Sequence, residues 1–536
     1  MYMNKFLVLI GLFSLLAGCG GNKQALWGPS LDATTNPTDV QDAYLYSTSL
    51  YGSDDGGKSA NIAVLLPMSG NTKTAGESIK TSIETAFLRK PKSNVKISFY
   101  DLSGNYSERT DIINHVLSTN PDAIIGPLFA EDARYIRDRK NSSLPVVSFT
   151  SDITALGDNV VSVNLIPTQS IETIVRQIKQ DGATNVVVLA PNDNSGKMMA
   201  SVAAKAIPLY DMSLNGLFYY DTGKSDSIKD VAMRASMFGT RNAANTRARE
   251  ILSDILTKES LTAQQRNSLN KQLEKISRTE TTGKLPYDAI LFLGNGEDSK
   301  TLTSFLRYYG VGARDVAMYG TTLWHGSNIA TDLTLAGAKY ATLPEISDNF
   351  VSLYSMVSGQ NPDYLAAFGY DAANLTLGML FTQKGQDAYL YDPSGYVGTT
   401  GIFRIQPNGE DERGLRIMEF NGTETVNELK SSPTNFITPL YNVNNKYLRS
   451  VPEKELNTHG VNPGDYITIP EHLRKKSAYR TKTIGANYVA EETDIESKPI
   501  QIFAESEKEV ISDPEFQPVK IESVERKNID SVEIAE

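Results

Sequence analysis

The chain has 536 residues, 40% of them hydrophobic and 21% charged, and a net charge of −11 from 52 Lys or Arg against 63 Asp or Glu. That length supports two or three domains, each burying its own core, and an acidic balance without a basic stripe excludes nucleic acid as a partner. The single cysteine, Cys19, excludes disulfides as staples of the fold.

The chain opens with Lys5 and an apolar run from Phe6 to Leu16, followed by small residues, the pattern of a secretory signal. The run falls short of the ~20 apolar residues needed to span a bilayer. Leu16-Ala17-Gly18-Cys19 resembles the cleavage motif of bacterial lipoproteins. That resemblance implies removal of residues 1–18 and acylation of Cys19 on its sulfur and new amino terminus. In such lipoproteins an Asp after the cysteine favours the inner membrane. Gly20 stands there instead, which implies an outer-membrane anchor facing the periplasm.

Residues 19–60 read as a flexible tether, rich in Asp, Asn, Thr, Ser and Gly. It spans roughly 35 Å as a coil and about 135 Å when pulled straight. Within it, Gly52 to Ser59 spells the phosphate-loop formula. A phosphate loop needs a strand before it and a helix after it. Here a β-type run, Ile62 to Leu66, follows instead, and Asp54 and Asp55 repel a phosphate, so no ATP site is expected.

From Asn61 onward short apolar runs alternate with helical stretches, the signature of α/β architecture with parallel sheets. Strands are predicted at 62–66, 95–100, 123–125, 146–149 and 160–165, with helices at 75–88, 108–117 and 131–139. A second series follows, with strands at 185–190, 217–220, 289–293 and 316–319 and helices at 170–180, 196–207 and 298–309. Helices at 349–357 and 365–381 then lead to a predicted hairpin, 401–405 with 415–420, turned by Asn408-Gly409. The expected fold is two doubly wound parallel-sheet lobes joined by a hinge. Lobe 1 takes about 61–165 plus 344–426. Lobe 2 takes about 166–343, with a polar helical insertion at 225–284. Residues 451–536 form an extension expected to be largely disordered. From Asn487 onward, 14 Asp or Glu face 5 Lys or Arg, too acidic and too poor in apolar residues to offset chain entropy.

Several stretches together resemble a type I periplasmic binding fold. They are Ile62 to Gly70, Ile124 to Leu128, Pro145 to Thr150, Tyr319 to Trp324, Phe368 to Ala373 and Gly398 to Arg404. Their order and spacing are more closely similar to the lipoproteins that activate penicillin-binding proteins, the LpoA/LppC family. The likeness covers about 61–426. It implies a non-enzymatic outer-membrane lipoprotein that stimulates a peptidoglycan synthase. The alternative is a lipid-anchored receptor delivering amino acids or similar small molecules to an importer.

In such a fold a ligand cleft lies at the carboxyl ends of the strands, between the lobes. By position Ser69, Gly70, Ser148, Thr150, Asn192, Thr321, Tyr370 and Asp371 face it. Hydroxyls and turn N–H groups suit a carboxylate, and Asp371 suits an ammonium. Equally, Ser69-Gly70 serves to turn the chain and Tyr370-Asp371 to anchor a helix. Two departures matter. Leu128 and Phe129 stand where amino-acid receptors of this fold place small hydroxyl residues, and the tether is too short for the helical-repeat domain that precedes the binding domain in the best-known activators.

Catalysis has no constellation here. His115, His325, His459 and His472 are scattered, with no metal-ligand spacing, so neither a metal nor a cofactor is expected. Ser268-Leu269-Asn270-Lys271 fits a serine-x-x-lysine formula but lacks its companion motifs.

Overall fold

The computed structural model describes residues 59–89, 94–423, 426–436, 450–456 and 460–485. The signal peptide, Cys19, nearly all of the tether and the acidic stretch from Asn487 lie outside the described residues.

The first sheet is built from β1 (Ala60–Leu66), β2 (Val95–Asp101), β3 (Ala123–Ile125), β4 (Val146–Ser148) and β5 (Val160–Ser162), with helices α1 (Lys73–Arg89), α2 (Tyr106–Ser118) and α3 (Ala130–Arg137) between them. Its order is β2-β1-β3-β4-β5, and every pairing is parallel. Five consecutive residues of β1, Ile62 to Leu66, are buried. An unbroken apolar run of this kind is what a strand covered on both faces requires. Helix α2 starts where the side chain of Asn105 accepts from the Glu108 N–H and the Glu108 carboxylate accepts from the Asn105 N–H, a reciprocal cap.

The chain then crosses into a second sheet. Helices α4 (Pro167–Gln180), α5 (Asn194–Leu209), α6 (Ser225–Ala235), α7 (Phe238–Lys258), α8 (Ala263–Ser277) and α9 (Gly296–Tyr308) accompany β6 (Asn185–Pro191), β7 (Ser213–Tyr220), β8 (Ala289–Phe292), β9 (Ala317–Gly320) and β10 (Lys339–Thr342). These five strands are parallel. Of the polar segment 225–284, α6 lies against the sheet, burying Ile228, Val231, Ala232 and Ala235 in its core. Only α7 and α8 form the protruding hairpin.

The return to the first sheet uses α10 (Asp348–Ser358), α11 (Tyr364–Phe381) and α12 (Gln386–Leu390). Helix α11 is buried at every residue from Ala366 to Phe381, and it lies on α1. Gly369 allows that approach: a Cβ there would sit 3.0 Å from the Ile79 carbonyl oxygen. The apolar length of α11 is thus explained by core packing. Among the described residues no helix is long and apolar enough to cross a membrane.

The predicted hairpin is corrected. Strands β11 (Tyr396–Gly398), β12 (Gly401–Ile405) and β13 (Asp411–Arg413) make a small antiparallel sheet, with Asn408-Gly409 joining β12 to β13. The run expected as the second hairpin arm, from Leu415 to Phe420, instead crosses over. As β14 (Arg416–Phe420) it pairs antiparallel with β10, and β15 (Val426–Lys430) completes a seven-stranded sheet of order β15-β14-β10-β9-β8-β6-β7. Its apolar residues Ile417, Met418 and Phe420 find a larger core there than a two-stranded ribbon offers.

The expectation of a largely disordered extension from residue 451 is corrected for its described residues, 451–456 and 460–485. Lys454 pairs with Leu217 on the sheet's edge strand, and Val461 pairs with Ile484. Helix α13 (Glu471–Arg474) follows, and Ile467, Ile469, Leu473 and Tyr479 form one core with Ile251, Leu252 and Leu269 of the hairpin. Their wide spacing hides the pattern in sequence, because the segment has little periodic structure of its own.

Candidate functional site

The predicted cleft residues divide by burial. Ser69, Gly70 and Asn192 are exposed at strand ends. The turn at Ser69 is fastened to the end of β2: Met68 N–H donates to Asp101 Oδ1 at 2.7 Å, Ser69 N–H to Ser103 Oγ at 3.0 Å, and Ser103 Oγ to Asp101 Oδ1 at 2.6 Å. Burial acts to raise the Asp101 carboxyl, but the bonds from Ser103 and Met68 outweigh it and leave it below its ordinary value. Gly70 takes a φ of +69°, a left-handed turn that favours glycine. Asn192 donates through Nδ2 to Asp221 Oδ1 at 3.2 Å.

The other five are buried and already engaged. Ser148 Oγ donates to the Val161 carbonyl at 2.9 Å. Thr150 Oγ1 accepts from the Asp152 N–H at 3.1 Å. Thr321 Oγ1 accepts from the Leu323 N–H at 3.4 Å. Tyr370 packs on Phe350 with ring centroids 4.8 Å apart. Asp371 has no exposure, and its Oδ1 accepts from the Thr399 N–H at 2.9 Å.

Asp371 does meet a cation, but one supplied by the chain itself. Arg413, fully buried, places Nη1 3.4 Å from Asp371 Oδ2 and Nε 2.8 Å from Asp411 Oδ2. Its Nη1 also donates to Thr400 Oγ1 at 2.8 Å. The guanidinium carbon lies 4.5 Å from the Phe368 ring centre and 4.9 Å from that of Phe403, a stacking that suits a planar, weakly hydrated cation. Gly398 lets the loop come this close: a Cβ there would sit 2.6 Å from Asp371 Oδ2.

This cluster joins the three places where the chain passes between the sheets. At the first, Asn164 N–H donates to Asp411 Oδ2 at 3.1 Å, and just beyond it Gln169 Oε1 accepts from the Arg413 N–H at 3.1 Å. At the second, Leu343 accepts from Arg416 Nε at 3.0 Å through its carbonyl, Arg416 pairs with Glu345, and Ser347 N–H donates to the Thr399 carbonyl at 2.8 Å. The third is the step from β13 to β14, which carries Arg413 and Arg416 themselves.

Burial pushes Asp371 up to about 6 against the pull of Arg413 and Thr399. It pushes Asp411 up to about 7, with the Asp371 charge adding to the rise and Arg413 opposing it. One guanidinium between two carboxylates leaves the pair competing for a single charge, so the direction is upward for both. Close by in charge, Glu172 is pushed up to about 8 by burial and by Glu410 and Glu412, with Arg176 opposing.

Arg413 was absent from the sequence prediction. Glu410 to Arg413 after an Asn-Gly turn reads as a solvated loop, yet all three residues of β13 are buried. The signal was present as balance: a charged triplet of mixed sign, within the same return segment as Arg404 and Asp371.

Residues 59–237 match the periplasmic binding protein family. No curated protein matches the chain significantly. Among solved structures, a branched-chain amino acid ABC transporter protein from Rhodospirillum rubrum aligns at 16% identity with a TM-score of 0.50, over 69% of this chain and 100% of that one. The C-domain of LpoA from Haemophilus influenzae, a regulator of PBP1A, aligns at 17% identity and a TM-score of 0.46, over 69% of this chain and 100% of its own. Full-length LpoA from the same organism aligns at 16% identity and 0.47, over 70% of this chain and 59% of its own. The architecture is a type I periplasmic binding fold.

Proposed function

We propose that this chain, a periplasmic binding-type protein, is an outer-membrane lipoprotein anchored through Cys19 that binds and activates a peptidoglycan synthase of the penicillin-binding class. The tether carries the folded body away from the lipid, and the body acts by favouring one conformation of the synthase through differential contact, with no chemistry of its own. The motif order from Ile62 to Arg404 supports the activator reading over the receptor reading.

The observation that carries the choice is the Asp371–Arg413 pair. The carboxylate best placed to grip an amino-acid ammonium is neutralised inside the chain's own crossings. The apolar pair Leu128-Phe129 and the engaged hydroxyls of Ser148 and Thr150 support the same conclusion. Capture from solubilised envelopes tests it, and a bifunctional penicillin-binding protein is the expected partner. Recovery of importer subunits without any synthase, or calorimetric binding of an amino acid at micromolar affinity that Asp371→Ala weakens, would reverse the choice in favour of the solute receptor.

A further inference from the structure

A cavity of about 630 Å³ opens on the second sheet's side of the molecule, lined by none of the cleft or Arg413-cluster residues. It forms where the carboxyl end of α9, the turn at residues 310–315 and the turn at 333–336 meet. The last two lead into the amino-terminal ends of β9 and β10. Asn192 and Thr321 follow the opposite, carboxyl-terminal ends of their strands, so this site is independent of the cleft.

Its rim carries Arg307 and Arg314, both exposed. Among the described residues neither guanidinium has a hydrogen-bond or ion-pair partner. Two uncompensated arginines sharing one concavity repel each other, and an anion removes that repulsion. A third guanidinium lies behind the wall: buried Arg241 donates from Nη2 to the Gly310 carbonyl at 3.2 Å. The one carboxylate in the lining, Asp315, is drawn into the turn, where Oδ2 accepts from the Gly312 N–H at 2.9 Å. The same turn leaves the N–H groups of Ala313 and Arg314 without acceptors among the described residues, and successive free N–H groups in a turn make an anion-binding concavity.

The floor is held in place. Thr303 and Thr334 join through their hydroxyls at 2.9 Å, and Thr334 Oγ1 donates to Asp332 Oδ1 at 2.7 Å. Leu333 and Ala336 add an apolar wall.

We propose that this cavity binds a small oxyanion, a phosphate or carboxylate group on a short apolar body, held by Arg307 and Arg314. A planar guanidinium fork recognises both groups through paired N–H···O bonds. Titration calorimetry on the full chain, with inorganic phosphate and with succinate as separate probes at constant ionic strength, tests it. The fixed ionic strength removes general screening as a cause.

Millimolar or tighter 1:1 binding of at least one probe is expected, weakened about tenfold or more in the Arg307→Ala/Arg314→Ala double variant. Which probe binds more tightly assigns the oxyanion. Absence of binding by either probe up to about 10 mM, or equal affinity in the double variant, overturns the proposal. Should the double variant melt early, Arg307→Lys/Arg314→Lys keeps the charge and loses the fork. It then has to bind more weakly than the native chain, and equal affinity overturns the proposal.

Discussion

At the scale of single residues, Arg413 is the side chain on which most else depends. It faces two buried carboxylates, and its removal leaves both without compensation. Loss of one partner from a buried ionic cluster costs about 3–5 kcal/mol, so Arg413→Met is expected to lower the urea midpoint far more than Asp371→Asn, which leaves Arg413 still paired with Asp411. Equal effects of the two would mean that the guanidinium is held by its aromatic neighbours alone. The same cluster predicts a pH dependence. Asp411 sits near 7 when folded against 3.8 ordinarily, so the folded state holds its proton through a range where the unfolded chain has released it. Stability from this group is complete below about 4 and is lost as pH rises to about 7. Asp411→Asn removes the titration, and its stability relative to the native chain is expected to rise between pH 5 and pH 8. Parallel denaturation curves across that range would show that Asp411 is ionised throughout. Little of this was legible from sequence. The strand-end rule located Ser69, Gly70 and Asn192 on exposed turns, but it could not separate an exposed hydroxyl from one, such as that of Ser148, already spent on a neighbouring strand's carbonyl.

At the scale of elements, period and turn chemistry served well wherever an element is long enough to carry a period of its own. The expected helices at 75–88, 170–180 and 365–381 correspond to Lys73–Arg89, Pro167–Gln180 and Tyr364–Phe381. It failed where a short strand or an irregular segment takes its partner from far along the chain. Asn408-Gly409 does turn a hairpin, but β13 lasts only three residues before Gly414 and β14 join a sheet begun more than two hundred residues earlier. The segment after residue 450 hides its order in the sequence for the same reason. Its apolar residues are spaced to fit the groove of the α7–α8 hairpin, and that spacing has no period of its own. The hairpin should therefore depend on this segment. Leu473 is 1% exposed in a small core shared with Ile251 and Leu269. Leu473→Ala is expected to cost about 2–4 kcal/mol, confined to the hairpin. Hydrogen exchange checks this: protection should fall across Phe238–Ser277 and stay unchanged in β1. A uniform loss would show that the hairpin and the sheets unfold as one unit.

At the scale of the whole molecule, two properties are set by the ends of the chain rather than by the folded body. Most of the net charge of −11 comes from the stretch beyond Asn487. Under the proposal, attachment to a membrane would rest on Cys19 and on acyl chains whose buried CH₂ groups each contribute about 0.8 kcal/mol, enough in combination for near-permanent residence. On the proposed function, the anchor supplies proximity and the body supplies contact. On the same proposal, a lipid on Cys19 would keep the body within tens of ångströms of its membrane, which raises its effective concentration near a synthase without adding any bond. Cys19→Ala separates the two contributions. The variant is expected in the soluble fraction, without the mass of acyl chains, and its stimulation of synthesis in cells should fall. Its affinity for the purified synthase, measured in solution, should match that of the native protein freed of lipid. A variant that stays with the membrane would remove Cys19 as the anchor. One that loses affinity in solution would place the amino-terminal end in the contact itself, and the tether would then be part of the interface rather than a spacer.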